Sequence, residues 1–440
     1  MITVILSAAA GAVISSLLAC IPGLHIYNVL GLLVIGLHAM GLYGLTLPTE
    51  ILVPVFTGMI VGYAMLNTVP AVLLAAPDES AFFTVQPGQK YLMRGRGYEA
   101  VMITAIGGLA GLFLVVFLTA AAGPRILYMA RSVFRPHTHW ILWCVICFML
   151  MSEWPKAITA EWAGWFRFLK AWKSLSAGLL TFLLSGILGF VLFFRSPVSS
   201  AVAFQNLMPA FVGLFTIPSL IMNIVSRVEM PRQNMGAPEI TCGPVLSGVF
   251  AGGLGGGFAA FFPVITGGVG GFLAGHATAV RDDRSFLVSQ GTSKLIYYVG
   301  GFLFFFMPGL HMIRGGGAQM LGGIYAPQTY YDFYMAVASI AVAGAISFLL
   351  IGPLARGAIL VMKKSGCRQI SFSALIVIIL IVFSVTGLMG LFVMLVGAGI
   401  GLIPLLFGAR RMNCLGVILL PMACNMSGIG AKVAGWLGLG

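Results

Sequence analysis

Runs of about 18 or more apolar residues recur from one end of this chain to the other, and that recurrence restricts its possible folds more than any motif does. A run of that length crosses hydrocarbon as a helix, because only a helix or a closed barrel satisfies its backbone where no water is present. The polar gaps between runs are mostly about 10 to 25 residues, too short for a soluble domain. Charged side chains make up only 8% of the 440 residues. The expectation is an all-α polytopic integral membrane protein with about 10 to 14 membrane segments, multi-pass in the cell (inner or cytoplasmic) membrane. The formal net charge of +13 does not imply nucleic acid, since the basic residues are scattered through short loops, where they select topology. Without a basic n-region or a clear cleavage site, the first apolar run reads as a membrane segment and not as a removed signal.

Two of the apolar stretches break in their middle. The first runs from Gly11 through Ile21-Pro22-Gly23-Leu24-His25 to Asn28. Proline removes a backbone donor, glycine permits conformations that other residues avoid, and both polar side chains follow within about one helical turn. The second, Phe262-Pro263-Val264-Ile265-Thr266-Gly267-Gly268, follows a dense array of glycines. Paired broken helices point to the binding site of a secondary transporter, because freed N–H and C=O groups in a membrane must meet protein, trapped water or ligand. The glycine array has two readings, close helix approach and a broken backbone lining a ligand, and both are expected to apply. A phosphate-cradling loop is a poor third choice, because no Lys-Ser/Thr follows.

The candidate substrate- or ion-binding residues are Pro22, Gly23, His25 and Asn28 at the first break and Pro263, Thr266, Gly267 and Gly268 at the second. Asn67, Thr68, Thr292 and Ser293 are added as nearby polar contacts. Each has a plainer reading: His25 as a hydrogen-bonded structural histidine, Asn67 and Thr68 as links between helices. Lys294 could snorkel to the surface or pair with a substrate carboxylate, and snorkelling is the expectation. Residues 77–100 are expected to form an ordered loop outside the hydrocarbon; Asp78 and Glu79 could gate or bind a cation, but a solvated loop end is the commoner explanation. Arg281-Asp282-Asp283-Arg284 reads as a self-neutralised loop, and Glu153 to Lys173, with its Trp, Lys and Arg, as a helix at the interface. Cys144 and Cys147 form a C-x-x-C inside an apolar run, where thiols act as small hydrophobes.

Shifting the first half by about 230 to 240 residues superimposes the order of features: Pro22 falls on Pro263, the run 100–122 on 331–354, the basic loop 125–135 on 356–368. This predicts two transmembrane repeats, 1–225 and 244–440, joined by a polar linker at 226–243. The parity of spans between matching loops leaves parallel and inverted repeats both open.

Gly11 through Pro22-Gly23-Leu24-His25, then Pro77-Asp78-Glu79 with Pro87-Gly88 and Arg94-Gly95-Arg96-Gly97-Tyr98-Glu99-Ala100, and Gly399-Ile400-Gly401-Leu402-Ile403-Pro404 with Arg410-Arg411 and Pro421, resemble the large membrane subunit of the tripartite tricarboxylate transporters. The closest resemblance is to the shorter branch common in archaea, and it covers most of the chain. It implies a cation-coupled secondary transporter with duplicated halves, taking up carboxylates with a small membrane subunit and an extracytoplasmic binding protein. His25 stands where the better-studied members usually have Gly, and Thr266 and Gly267 follow Pro263 where they have a Pro-Gly-Leu-Gly-like break.

The expected function is therefore a permease for small carboxylates, working by alternating access around the two breaks. Half-helix N-termini supply positive potential for the anion, and unwound carbonyls and hydroxyls are available to a coupling ion, Na⁺ or H⁺. No organic cofactor or structural metal is expected. The alternative is a translocase for a lipid-linked or phosphate-bearing substrate. A channel would need a continuous polar ring, and an intramembrane enzyme a metal or nucleophile constellation such as H-E-x-x-H or G-x-S-x-G; the sequence has neither.

Overall fold

The computed structural model describes residues 1–43, 47–154, 164–198, 205–226, 230–310 and 312–440. It is 80% helical, with no strand among the described residues. The helices are, in chain order, α1 Ile2–Leu18, α2 Ile26–Leu42, α3 Thr49–Leu66, α4 Thr68–Leu73, α5 Phe82–Met93, α6 Gly97–Phe134, α7 Thr138–Met151, α8 Gly164–Phe194, α9 Met208–Phe211, α10 Ile217–Val225, α11 Cys242–Phe261, α12 Gly267–Ala277, α13 Asp283–Leu295, α14 Gly301–Leu303, α15 Gly315–Gly322, α16 Tyr330–Phe407, α17 Gly416–Met426 and α18 Gly430–Trp436. Among the described residues, seven helical stretches are long and apolar enough to cross a membrane, and an eighth forms if the pair Arg411–Met426 and Gly430–Trp436, bent by 119°, is taken as one span. The chain is a multi-pass membrane protein.

A straight helix of 78 residues would be about 117 Å long, several times the roughly 30 Å of hydrocarbon. Helix α16 avoids this through left-handed backbone at Gly366 (φ 76°) and Gly387 (φ 67°). Lys363, Lys364 and Arg368 cluster at the first of these turns, as expected of a loop between spans.

Residues 1–130 and 219–378 form one compact unit. Two layers in it are built alike, α1 lying against α3 and α11 against α13. Small residues set both separations. A methyl group on Gly58 would lie 2.3 Å from the Ala8 carbonyl oxygen, and one on Gly252 would lie 2.5 Å from that of Ser289. Most of the glycine array is thus explained by close approach, since in lipid helices associate through dispersion contact that only small residues allow.

The polar stretch after Pro77 corrects the expectation of a loop. Residues Phe82–Met93 are helical through Pro87, and Phe82, Thr84, Gly88, Tyr91 and Leu92 are buried. Part of the linker is bound to its far end: the Gly97 N–H donates to Gln233 Oε1, Gln233 Nε2 donates to the Leu92 carbonyl, and the Asn234 N–H to the Gly95 carbonyl. The loop at 281–284 is also not self-neutralised. Asp282 accepts the Ser285 N–H as the cap of α13, Asp283 pairs with Lys90, and Arg284 with Glu239.

Residues 131–198, 205–218 and 379–440 form the second unit. Here α8 packs on α17, the Trp143 indole donates to Ser427, and buried Glu153 accepts from the Arg410 N–H and Asn413 Nδ2. Much of the interfacial stretch expected after Glu153 lies outside the described residues. Cys144 and Cys147 are free thiols on the exposed face of α7.

Candidate functional site

The two helix breaks have the same construction, position by position. In the first, Pro22 is followed by Gly23 in left-handed backbone (φ 79°), and His25 caps α2 by accepting the Tyr27 N–H at Nδ1. In the second, 241 residues on, Pro263 is followed by Val264 in left-handed backbone (φ 57°), and Thr266 caps α12 by accepting the Val269 N–H. A proline stops the incoming helix, a left-handed residue turns the chain, and two residues later a polar side chain opens the next helix. A β-branched valine is a strained choice for that turn, and such strain persists only where the surroundings enforce it.

Both breaks close on the segment Asp78–Ser80. From the first, His25 Nε2 lies 3.0 Å from Glu79 Oε1 and 4.0 Å from Asp78 Oδ2. From the second, the α-carbon of Gly268 faces the Ser80 carbonyl so closely that a methyl there would lie 2.6 Å from the oxygen. The Tyr298 hydroxyl lies between them, 3.0 Å from Asp78 Oδ2, 3.0 Å from Ser80 Oγ and 3.1 Å from His25 Nε2. Tyr298 belongs to the π-helical turn Ile296–Gly300 that follows α13, a local widening that occurs often at functional sites. Tyr63 from α3 donates to Asp78 Oδ2, and its ring packs edge-on against Tyr298 at 5.8 Å.

Buried cationic charge comes from Lys294, which is 2% exposed and donates to Asn67 Oδ1 and Thr68 Oγ1. Asn67 hands the interaction on, its Nδ2 donating to Asp78 Oδ2 at 2.6 Å. The expected snorkelling of Lys294 is thereby corrected: its head group has partners inside the protein and no need of the surface. Asp78 and Glu79 are corrected with it. Their side chains are 9% and 7% exposed, so they are not a solvated loop end. Charges this deep in apolar sequence are costly unless paired, which makes them a functional feature by default.

The other sequence-derived candidates divide. Pro22 and Gly23 shape the first break, and Asn28, one turn into α2, is buried with its N–H on the His25 carbonyl. Pro263, Thr266, Gly267 and Gly268 shape the second, with Ser293 Oγ donating to the Gly267 carbonyl. Asn67 and Thr68 join Lys294 to Asp78. Thr292 stands apart, because its hydroxyl donates to the Gly107 carbonyl in α6. Tyr27, Tyr63, Ser80 and Tyr298 were not singled out from sequence. The available signal for Tyr298 was its position four residues after Lys294, one helical turn on.

The nearest ring nitrogen and carboxylate oxygens of His25, Asp78 and Glu79 lie within 4.8 Å of one another, close enough to face a common metal ion. The capping bond argues against that use. With Nδ1 accepting the Tyr27 N–H, the ring proton is on Nε2, and a metal ligand there would need a lone pair.

A family model described as the tripartite tricarboxylate transporter TctA family matches residues 5–416. The chain belongs to this family. As a TctA-family protein it is a component of a tricarboxylate transporter and not an enzyme. It is also 23% identical over 374 residues to an uncharacterized protein of Methanocaldococcus jannaschii, a match spanning 84% of this chain and 85% of the archaeal one. That likeness agrees with the archaeal branch suggested by the motifs. No solved structure matches.

Proposed function

We propose that this TctA-family chain is the substrate-carrying membrane subunit of a cation-coupled secondary transporter for small carboxylates, operating by alternating access around the two broken helices. One observation carries the reading: both breaks, one from each half of the sequence, end on the same buried charged segment, Asp78–Ser80. In this reading the helix starts after His25 and Thr266 offer positive potential to the anion, and Lys294 adds a cation held by Asn67 and Thr68. Asp78 and Glu79 repel an anion and therefore belong to the coupling cation, Na⁺ or H⁺. Each break is taken as the centre of one repeat, 1–225 or 244–440, so that moving one against the other reshapes the site between them. A small membrane subunit and an extracytoplasmic binding protein complete the transporter, as the tripartite family name implies.

The test is counterflow of radiolabelled citrate in membrane vesicles preloaded with citrate. Pro22→Ala combined with Gly23→Ala is expected to abolish exchange while the chain remains inserted and monodisperse. Exchange at the wild-type rate in that variant would remove the breaks from the transport path.

A further inference from the structure

Asp78 and Glu79 are adjacent in sequence, yet the protein solvates them in opposite ways. Asp78 Oδ1 receives the Ser80 N–H, the Ala81 N–H and lies 3.0 Å from Ser80 Oγ; Oδ2 faces the Tyr63 hydroxyl, Asn67 Nδ2 and the Tyr298 hydroxyl. A proton on either oxygen would displace a donor, so Asp78 is held as the anion. Glu79 is poorly served. Its Oε1 faces His25 Nε2 at 3.0 Å and the Tyr298 hydroxyl at 3.3 Å, and the single Tyr298 proton has a nearer acceptor in Asp78. Its Oε2 receives none of the donors that surround Asp78. Two neighbouring carboxyls so differently hydrogen-bonded are suited to different roles.

His25 supports the division. Its Nδ1 is committed to the Tyr27 N–H, so the neutral ring points its one proton, on Nε2, at Glu79. Taking a second proton would put an N–H against the Tyr27 N–H and cost α2 its cap.

We propose that Glu79 carries the coupling proton, at Oε2, and that its protonation is what admits the substrate carboxylate. The proposal rests on the carrier reading above and names its coupling ion. The charged and titratable groups facing Glu79 are His25 and Tyr27 from the first break, Tyr63 from α3, Asp78 beside it, and Lys294, Tyr297 and Tyr298 from α13 and its π turn. Lys294 balances Asp78 through Asn67, which leaves Glu79 as the uncompensated charge. Ionised, it repels a carboxylate in a low-dielectric site; protonated, the cluster is neutral and Oε2–H donates to the anion. The proton enters from water on one side and returns to water on the other, and only an O–H bond forms and breaks. Sodium finds a worse site, since Asp78 has both oxygens occupied and Na⁺ requires several oxygen ligands.

The test uses the full chain in lipid nanodiscs and vesicles, with citrate as the probe. Infrared difference spectra between acid and alkaline pH are expected to show a protonated-carboxyl band that Glu79→Gln removes. His25→Asn, which keeps a capping oxygen for α2 while withdrawing the ring donor, is expected to move that band to higher pH. Above the range where citrate itself titrates, citrate binding is expected to weaken about tenfold per pH unit in wild type and to be flat in Glu79→Gln, whose amide imitates the protonated acid. Glu79→Gln is expected to lose accumulation of citrate driven by a proton gradient. A carboxyl band that survives Glu79→Gln, a binding profile that keeps its slope in that variant, or accumulation driven by sodium alone would overturn the proposal. Wild type that shows the Glu79 band but neither binds nor exchanges citrate would overturn the carrier reading instead.

Discussion

At the residue scale, the cluster around Asp78 depends on a relay and not on a direct ion pair. Lys294 reaches Asp78 only through Asn67, whose amide accepts from one and donates to the other. Removing either charge strands the other in a site buried from solvent. Lys294→Met and Asp78→Asn are each expected to lower stability by on the order of 3 kcal/mol, with the double variant losing clearly less than the sum. Thermal unfolding in detergent of the four proteins checks the cycle, and additive losses would mean that the two charges do not sense each other. The exposed charges behave differently. Glu239 joins Arg96 to Arg284 in the open, and hydrogen bonds first from Arg96 and then from Arg284 hold its carboxyl below the usual carboxylate range. A depressed carboxyl contributes at pH above its unfolded value, and the contribution is lost as pH falls through the folded one. At neutral pH the tie is therefore fully formed, but solvent and salt screen it. Glu239→Gln is expected to leave the unfolding temperature nearly where it was, in contrast to Lys294→Met.

At the element scale, one substitution should have opposite signs on one helix. A methyl at Gly252 runs into the Ser289 carbonyl at 2.5 Å, whereas one at Gly257 meets nothing within 4 Å. Gly252→Ala is expected to cost about 1–3 kcal/mol by forcing α11 away from α13, and Gly257→Ala to gain about 0.5–1 kcal/mol from helix propensity. Urea or thermal unfolding of the pair measures both. The breaks allow a similar comparison. Val264 occupies a left-handed turn that Gly23 occupies without strain, so Val264→Gly is expected to raise stability by about 1 kcal/mol and Gly23→Val to lower it by at least as much. A change of the same sign at the two positions would mean that the breaks are not built alike. Each break was legible in the sequence because proline and the polar cap leave a local signature. The strain was not, because Val264 reads as an ordinary membrane residue until the turn that holds it is known.

At the scale of the whole molecule, the apolar runs alone determined that this chain is a helical multi-pass membrane protein, because of the two structures that satisfy backbone in hydrocarbon only the helix needs runs of that length. Hydropathy also marked the breaks and their spacing, and the motif pattern pointed to the TctA family to which the chain belongs. Hydropathy could not place Asp78, Glu79 and Lys294. A charge beside an apolar run reads as a surface group, since a lone ion is far cheaper in water than in lipid. Whether it is alone is a tertiary fact, decided by partners such as Tyr298 and Lys294, more than 200 residues from Asp78 in the chain. Local composition fixed the spans, and long-range pairing decided which charges they bury.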